Sequence, residues 1–276
     1  MTVKRILVHF DGSKRSERAL SAALELAEAQ DAHLIGCAVE AEPRIPTYAA
    51  AQIPADVIAS MADEQRRYVE AAKVSFEKLV AASGWTDRSE FVMAKGDATR
   101  ALSRIARGCD LVILGQSEPD TDFVEIEDLP DNVVLESGRP VLIIPYIGKK
   151  KPIGGHVLLC WTDTREAARA LSDSIPLLNE ASKVTVLSVG ESQKNPAVSA
   201  DDAARLLASH NISAELRHSP GKGVDVGSVV LNEASDLGAD LIVMGAYGHS
   251  RLRETILGGV THTILKEMTV PVLMSH

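Results

Sequence analysis

A loop with two glycine clusters contains the residues of this sequence best suited to holding a charged ligand. The apolar run Leu241-Ile242-Val243-Met244 leads into Gly245-Ala246-Tyr247-Gly248, and Gly258-Gly259-Val260-Thr261 opens an amphipathic segment further on. Glycines allow positive φ angles and a close approach of the backbone to a ligand. Amides at a helix start also face an anion with the positive end of the helix dipole. The loop therefore predicts a phosphate-sized anion site, in which the Thr261 hydroxyl donates to the anion, caps the helix, or does both.

Other signals of phosphate chemistry or catalysis are missing from the sequence. It contains no G-x-x-x-x-G-K-[ST] motif, and no G-x-G-x-x-G follows the first apolar run of either half. No nucleophile next to a positioned histidine or acid can be recognised, so we predict no catalytic residue. The cysteines, Cys37, Cys109 and Cys160, are far apart, so we predict neither a metal site nor a disulfide.

The elements that must position this loop are repeated within the chain. Three sets of segments recur in the same order and at similar spacing in the two halves. They are residues 6–10 and 18–21 with 157–161 and 169–172, residues 110–115 with 240–245, and residues 139–143 with 270–274.

Each half shows short β-branched runs without polar alternation, which is typical of parallel strands buried on both faces. The pattern predicts an α/β fold of two tandem domains, 1–147 and 154–276, joined by a short exposed linker. Each is expected to be a five-stranded parallel sheet with helices on both faces, and ligands of such sheets bind beyond the carboxyl ends of the strands. An irregular connection is expected over 42–58, before a long helix over 62–82. The expected strands are 4–10, 33–40, 89–94, 110–115 and 141–145, then 156–161, 183–189, 213–217, 240–245 and 271–275.

The spacing of Gly245, Gly248 and Gly258 after a fourth strand resembles the ATP-binding motif of the universal stress protein family. Together with the repeat, the chain is similar to a tandem member of that family. The resemblance implies two Rossmann-like domains of the adenine nucleotide alpha hydrolase-like type. It also implies an adenine nucleotide as ligand, ATP with or without Mg²⁺. The family motif usually has Ser or Thr after its last glycine, whereas Gly259 follows Gly258 here, so one hydroxyl contact is lost.

The resemblance also assigns roles to individual residues of the second copy. Ribose or phosphate would lie near Gly245 and Tyr247, and adenine near Val189 with Met244 beneath it. An acid after the first strand would contact adenine or ribose, a role that falls to Asp163 in the second copy. The phosphates would lie on Gly248, Gly258, Gly259, Val260 and Thr261.

The first copy keeps the acid of the family pattern but not the phosphate loop. Asp11-Gly12-Ser13 follows its first strand, whereas the second copy has Thr162-Asp163-Thr164, with the acid one residue later. In the first copy, 115–118 lacks the second glycine, and 129–132 replaces the later glycine pair within an acidic stretch. Carboxylates there would repel a triphosphate. We therefore expect one competent site per chain.

Charge and hydropathy limit the partners. The net charge of -9 argues against nucleic acid, and no apolar run approaches the about 20 residues that span a bilayer. We therefore expect a cytoplasmic protein that binds neither nucleic acid nor membrane. The edge strands near 140–143 and 271–274 are expected to pair within the chain as an intramolecular pseudo-dimer, with or without further pairing of two chains into a homodimer.

Three classes of function remain open. The first is an ATP-binding regulatory protein of the bacterial general stress response that acts as a nucleotide-dependent switch. The second is a slow Mg-dependent ATP hydrolase, which needs a group that orients water. The third is a structural or chaperone-like module that binds no nucleotide.

Overall fold

A computed structural model describes residues 2–41, 54–117, 129–148, 152–190, 200–220, 223, 225–248 and 259–276. Most of both copies is covered, including the strands, the main helices and parts of the loop that the sequence singles out. Among these residues, no helix is both long enough and apolar enough to cross a membrane.

The described residues form five strands in each copy, as the sequence predicts. All predicted ends lie within one residue of the observed ends except those of β8, which lies two residues later. The strands are β1 Arg5–His9, β2 His33–Glu40, β3 Ser89–Lys95, β4 Leu111–Gly115, β5 Val141–Ile144, β6 His156–Cys160, β7 Lys183–Val189, β8 Glu215–Ser219, β9 Leu241–Gly245 and β10 Val272–Ser275.

Helices connect the strands in both copies. A short 3₁₀ turn, Thr86–Arg88, precedes β3. The helices are α1 Lys14–Gln30, α2 Ala55–Ala82, α3 Ala98–Ala106, α4 Leu129–Glu136, α5 Arg165–Leu178, α6 Ala200–Ser209, α7 Val226–Leu237 and α8 Val260–Glu267.

Side chains at helix ends explain several of these boundaries. Ser13 begins α1 by accepting a hydrogen bond from Ser16 N, and Asp97 and Asp225 begin α3 and α7 in the same way. Gly238 ends α7 in the left-handed conformation at φ 65°, where glycine carries no steric cost.

The prediction for the start of α2 was wrong. The helix begins at Ala55, whereas the sequence predicts an irregular connection up to residue 58 and a helix from residue 62. Pro54 is the N-cap residue, and Asp56 lies in the first turn. Proline has no backbone N–H, and the N–H groups at a helix start have no intrahelical acceptor, so proline costs little there. The negative charge of Asp56 interacts favourably with the helix dipole. Pro54 therefore starts this helix instead of interrupting a loop. Residues 42–53 of the expected connection lie outside the described residues.

The ten strands form one continuous sheet in the order β3-β2-β1-β4-β5-β10-β9-β6-β7-β8. Pairing within each copy is parallel, whereas β5 and β10 pair in an antiparallel direction at the centre. Val272 lies opposite Ile143, Leu273 opposite Leu142 and Met274 opposite Val141. The expected pairing of the two C-terminal strands within one chain is therefore present.

Helices cover both faces of this sheet, and the same helices of each copy share a face. The buried side chains of α1, α2, α5 and α6 pack on one face in a single apolar cluster, and those of α3, α4, α7 and α8 pack on the other. Each cluster contains residues of both copies, so the core continues across the β5–β10 seam.

A glutamine of the first copy caps a helix of the second. Gln116 is 1% exposed, and its Nε2 donates to the carbonyl oxygens of Leu265 at 2.8 Å and Lys266 at 3.2 Å. Its Oε1 accepts from Tyr146 N at 3.2 Å. Gln116 therefore satisfies carbonyls in the last turn of α8, which intrahelical hydrogen bonds leave without partners.

We expect Gln116→Ala to lower the free energy of unfolding by about 1–3 kcal/mol, because the buried carbonyl of Leu265, the partly buried carbonyl of Lys266 and the amide of Tyr146 lose their partner. Urea denaturation followed by circular dichroism measures the change. The control is Gln65→Ala on the half-buried side of α2, which should stay within about 0.5 kcal/mol of the wild type. Equal stability of the two variants would show that the Gln116 contacts contribute nothing across the seam.

Candidate functional site

The candidate site of the second copy lies at the carboxyl ends of β6 and β9, which are neighbouring parallel strands. The turn after β6 contains Thr162, Asp163 and Thr164, and the loop after β9 begins with Ala246. Because both strands end at the same edge of the sheet, these two segments border one space. This position agrees with the general location of ligand sites in doubly wound sheets.

Gly245 lets α5 pack directly against the end of β9. A Cβ placed on Gly245 would lie 2.5 Å from both Ala167 N and the carbonyl carbon of Glu166. No side chain fits at that distance, so the absence of a Cβ here is a packing requirement. The start of α5 is held immediately beside the loop as a result.

The loop turns sharply after β9 and is bonded to α8. Tyr247 has a φ of 57° and Gly248 a φ of 95°, both in the left-handed region. Tyr247 N donates to Thr261 Oγ1 at 3.3 Å, and Thr261 is only 4% exposed. The Thr261 oxygen therefore accepts from the loop backbone and forms no side-chain cap of α8, although its hydroxyl proton is still able to act as a donor.

The start of α8 has no side-chain cap within the described part of the chain. Gly259 is the N-cap residue with an extended backbone, and none of the described side chains makes a capping hydrogen bond there. The first amides of a helix lack intrahelical acceptors and carry the positive end of its dipole. Gly259 and Val260 are both half-buried, so this helix end is close to the surface. Gly258 lies outside the described residues.

The remaining predicted residues are distributed around the same sheet edge. Val189 is the last residue of β7 and is half-buried, beside β6 in the sheet. Met244 is buried beneath the loop in the core. Asp163 is exposed in the turn before α5, where Thr164 caps the helix by accepting from Ala167 N at 3.2 Å. The predicted role of Asp163 in contacting adenine or ribose stays a prediction.

Sequence reasoning missed a buried carboxylate beside this loop. Glu166 is in the first turn of α5 and is 3% exposed. A Cβ placed on Gly248 would lie 3.1 Å from Glu166 Oε2 and 3.5 Å from Thr164 Oγ1. The signal was available in the repeat, since Glu166 aligns with Arg15 and the two positions carry opposite charges.

Glu166 is ionised despite its burial. Burial alone would raise its pKa, but a hydrogen bond from Arg165 Nε, a backbone hydrogen bond and the charges of Arg165 and His276 outweigh it. The pKa of the Glu166 carboxyl therefore lies below its usual value. The site thus contains a negative charge next to Gly248.

The loop of the second copy also contacts the first copy. Tyr247 Oη donates a hydrogen bond to Oδ1 of Asp131, which lies in the first turn of α4. The residues around Asp131 correspond to the later glycine cluster of the second copy. The segment of the first copy that lacks the glycine cluster therefore contacts the loop after β9 of the second copy.

In the first copy, an arginine side chain fills the corresponding space. Arg15 Nη2 lies 3.0 Å from Asp11 Oδ2, and both side chains are at least nine-tenths buried. A Cβ placed on Gly115 would lie 2.3 Å from Arg15 Cγ, so Arg15 lies directly over the end of β4. The acidic stretch over 118–128 lies outside the described residues.

The Asp11 carboxyl is also held in its ionised form. Burial would raise its pKa, but the charge that His9 carries at the acidic pH where Asp11 titrates, together with hydrogen bonds from Ser13 and Ser16, lowers it far below its usual range. Burial, in turn, lowers the pKa of His9. The first-copy site is thus a buried ion pair next to a histidine that is neutral at neutral pH.

We expect Asp11→Asn to lower the free energy of unfolding at pH 7 by about 3 kcal/mol, since Arg15 would be left buried without its counter-charge. A carboxyl whose pKa is depressed on folding stabilises the folded state at pH values above its unfolded pKa of about 3.9. This contribution is lost as the pH falls further. The difference between wild type and variant should therefore shrink below about pH 4. Denaturant unfolding between pH 7 and pH 3 measures it, and a constant difference would contradict the assigned charge.

Comparisons with known proteins agree with this architecture. The family model described as the universal stress protein family matches residues 2–145 and again residues 155–276. A universal stress protein of Synechocystis sp. is 28% identical over 170 residues, which is 59% of this chain and 57% of that protein. One from Methanocaldococcus jannaschii is 40% identical over 45 residues, or 28% of its length. The chain therefore spans less than two thirds of either curated relative.

Solved structures share the fold over the whole chain. A universal stress protein from Archaeoglobus fulgidus has a TM-score of 0.78 at 16% identity, with 98% of this chain and 95% of that chain covered. A putative universal stress protein from Pseudomonas aeruginosa has a TM-score of 0.62 at 18% identity, with 99% and 93% covered. With two family matches that together cover nearly all of its length, the chain belongs to the universal stress protein family as a tandem of two domains.

Proposed function

We propose that the second domain binds an adenine nucleotide and that the protein is a nucleotide-dependent regulator in the general stress response. The observation that carries this proposal is the N-terminus of α8, where no side chain among the described residues makes a capping hydrogen bond. Backbone amides there are available to a phosphate, and the loop containing Gly248 is bonded to the same helix turn through Thr261. ATP, with or without Mg²⁺, is the nucleotide expected from the family motif.

The neighbouring strand end suits an adenine ring. Val189 is half-buried at the end of β7, and Met244 forms part of the apolar core below the loop. An apolar floor with a few polar groups at one side is the usual composition of a small-molecule site. This arrangement supports adenine near Val189, with the ribose between it and α8.

The contacts across the seam support a regulatory role. The loop is bonded to Asp131 of the first domain, and the far end of α8 is capped by Gln116 of the same domain. A ligand that moves the loop or α8 would therefore change contacts that hold the two domains together. A ligand shifts a conformational equilibrium only if it interacts differently with the two conformations, and these contacts are ones that could differ.

We also propose one nucleotide site per chain. In the first domain, Arg15 covers the end of β4 and forms an ion pair with Asp11, the acid that the family pattern places beside the nucleotide. A nucleotide there would have to displace a buried ion pair. Removing one partner of such a pair costs about 3–5 kcal/mol.

We expect Gly259→Asp to weaken binding of AMP, and of ATP with Mg²⁺, by about tenfold or more. Aspartate is a favourable N-cap residue, so α8 should be at least as stable as in the wild type. Its carboxylate would occupy the same amides and repel a phosphate. Isothermal titration calorimetry measures the affinity, and thermal unfolding shows that the variant is folded.

The matched control is Gly259→Ser, which caps the helix without a charge. Its affinity should stay within about threefold of the wild type, since serine is also a good N-cap. Unchanged nucleotide binding by the aspartate variant would place the phosphates away from α8 and contradict the proposed site.

Calorimetry should also give a stoichiometry of one nucleotide per wild-type chain, because the buried Arg15–Asp11 ion pair fills the site of the first domain. In Gly259→Asp that single binding event should be lost or greatly weakened. Two equivalent events in the wild type, or one event that survives in the variant, would assign binding to the first domain instead.

A further inference from the structure

Equivalent positions in the two domains carry opposite buried charges. Arg15 and Glu166 each follow the first strand of their domain by the same number of residues, and each lies in the first turn of the next helix. The side chain of Arg15 packs against Gly115, which ends the fourth strand of the first domain, and the backbone of Glu166 packs against its counterpart Gly245. The repeat therefore places one charge at each candidate site, and its sign differs between the domains.

In the second domain this charge faces the loop. Glu166 Oε2 would be only 3.1 Å from a Cβ on Gly248, whereas Oε1 accepts from Arg165 Nε. The Arg165 side chain is 86% exposed, so solvent weakens the effect of its charge without removing its hydrogen bond to Oε1. The carboxylate oxygen nearest the loop is therefore the one turned away from the arginine.

The loop residues Tyr247 and Gly248 lie between Glu166 and the start of α8. Gly248 directly follows Tyr247, whose amide donates to Thr261 in the first turn of α8. An anion held by that helix turn thus lies close to a fixed negative charge. The helix end carries roughly half a unit of positive charge, so it offsets only part of the charge of a phosphate group.

A simpler role for Glu166 is to stabilise its own helix. A carboxylate in the first turn of α5 does favour the dipole of that helix. That role is satisfied equally well by an exposed side chain, whereas Glu166 is buried and directed at Gly248. The position of Glu166 therefore affects a ligand bound beside Gly248 as well as the stability of α5.

We propose that Glu166 limits the number of phosphates that the second domain accepts. This inference rests on the proposed nucleotide site and narrows its ligand to adenine nucleotides with a short phosphate chain, of which AMP is the model. Each additional phosphate adds negative charge near the Glu166 carboxylate. Mg²⁺ lowers the net negative charge of a triphosphate and so reduces the difference in affinity between AMP and ATP.

The test compares adenosine, AMP and ATP by calorimetry, without divalent cations, in wild type, Glu166→Gln and Glu180→Gln. The glutamine at 166 has the shape of glutamate but no charge. Glu180 is an exposed residue just beyond the other end of α5, about 20 Å away at 1.5 Å per residue. Glu180→Gln therefore changes the net charge equally without changing the site.

We expect the wild type to bind AMP at least as tightly as ATP. Glu166→Gln should bind ATP about tenfold or more tightly than the wild type, because a charge within a few ångströms has been removed. Its affinity for adenosine should change by less than about twofold, and Glu180→Gln should resemble the wild type, since distant surface charges are screened.

The other outcomes are distinct. If the wild type binds ATP more tightly than AMP without divalent cations, or if Glu166→Gln leaves ATP affinity unchanged, the role of Glu166 is wrong and the nucleotide site remains. The wild-type series decides this even where Glu166→Gln does not fold. If no adenine compound binds to wild type or variant, the proposed function itself fails.

Discussion

The antiparallel pairing of β5 with β10 is the interaction on which the rest of the molecule depends. Without it, each five-stranded sheet would expose an apolar edge strand whose backbone groups are free to pair with another chain. With it, two sheets become one, and the apolar clusters on both faces extend across the seam. The pairing also brings Gln116 to the end of α8, so the candidate site is supported by residues from both domains.

Most of the fold could be predicted because the strands are buried on both faces. Uninterrupted apolar runs such as Leu241–Met244 leave little choice of position, and the repeat gives the first, fourth and fifth strands of each copy twice. The ends of β8 were the least well predicted, because four of its five residues are exposed and no apolar run defines them. The start of α2 was missed because Pro54 was interpreted as part of a loop, whereas proline also suits a helix start.

The candidate site could be predicted only in part, for a different physical reason. Glycine spacing locates the loop, since positive φ and close packing restrict the residue type at Gly245 and Gly248. Which helical side chain lies beneath the loop depends on how α5 packs against the sheet, and neither Glu166 nor Arg15 belongs to a recognisable motif. The same limit applies to Thr261, whose oxygen is directed to Tyr247 N by the path of the loop.

Covalent fusion of the two domains permits an asymmetry that a dimer of identical chains cannot have. In a symmetric dimer, every substitution at the seam appears twice, so an amide side chain in place of a loop residue would alter both ligand loops at once. Here Gln116 is present in one copy, and its counterpart Ala246 remains small. A fused chain can therefore carry a supporting side chain in one half and a small loop residue at the same position of the other.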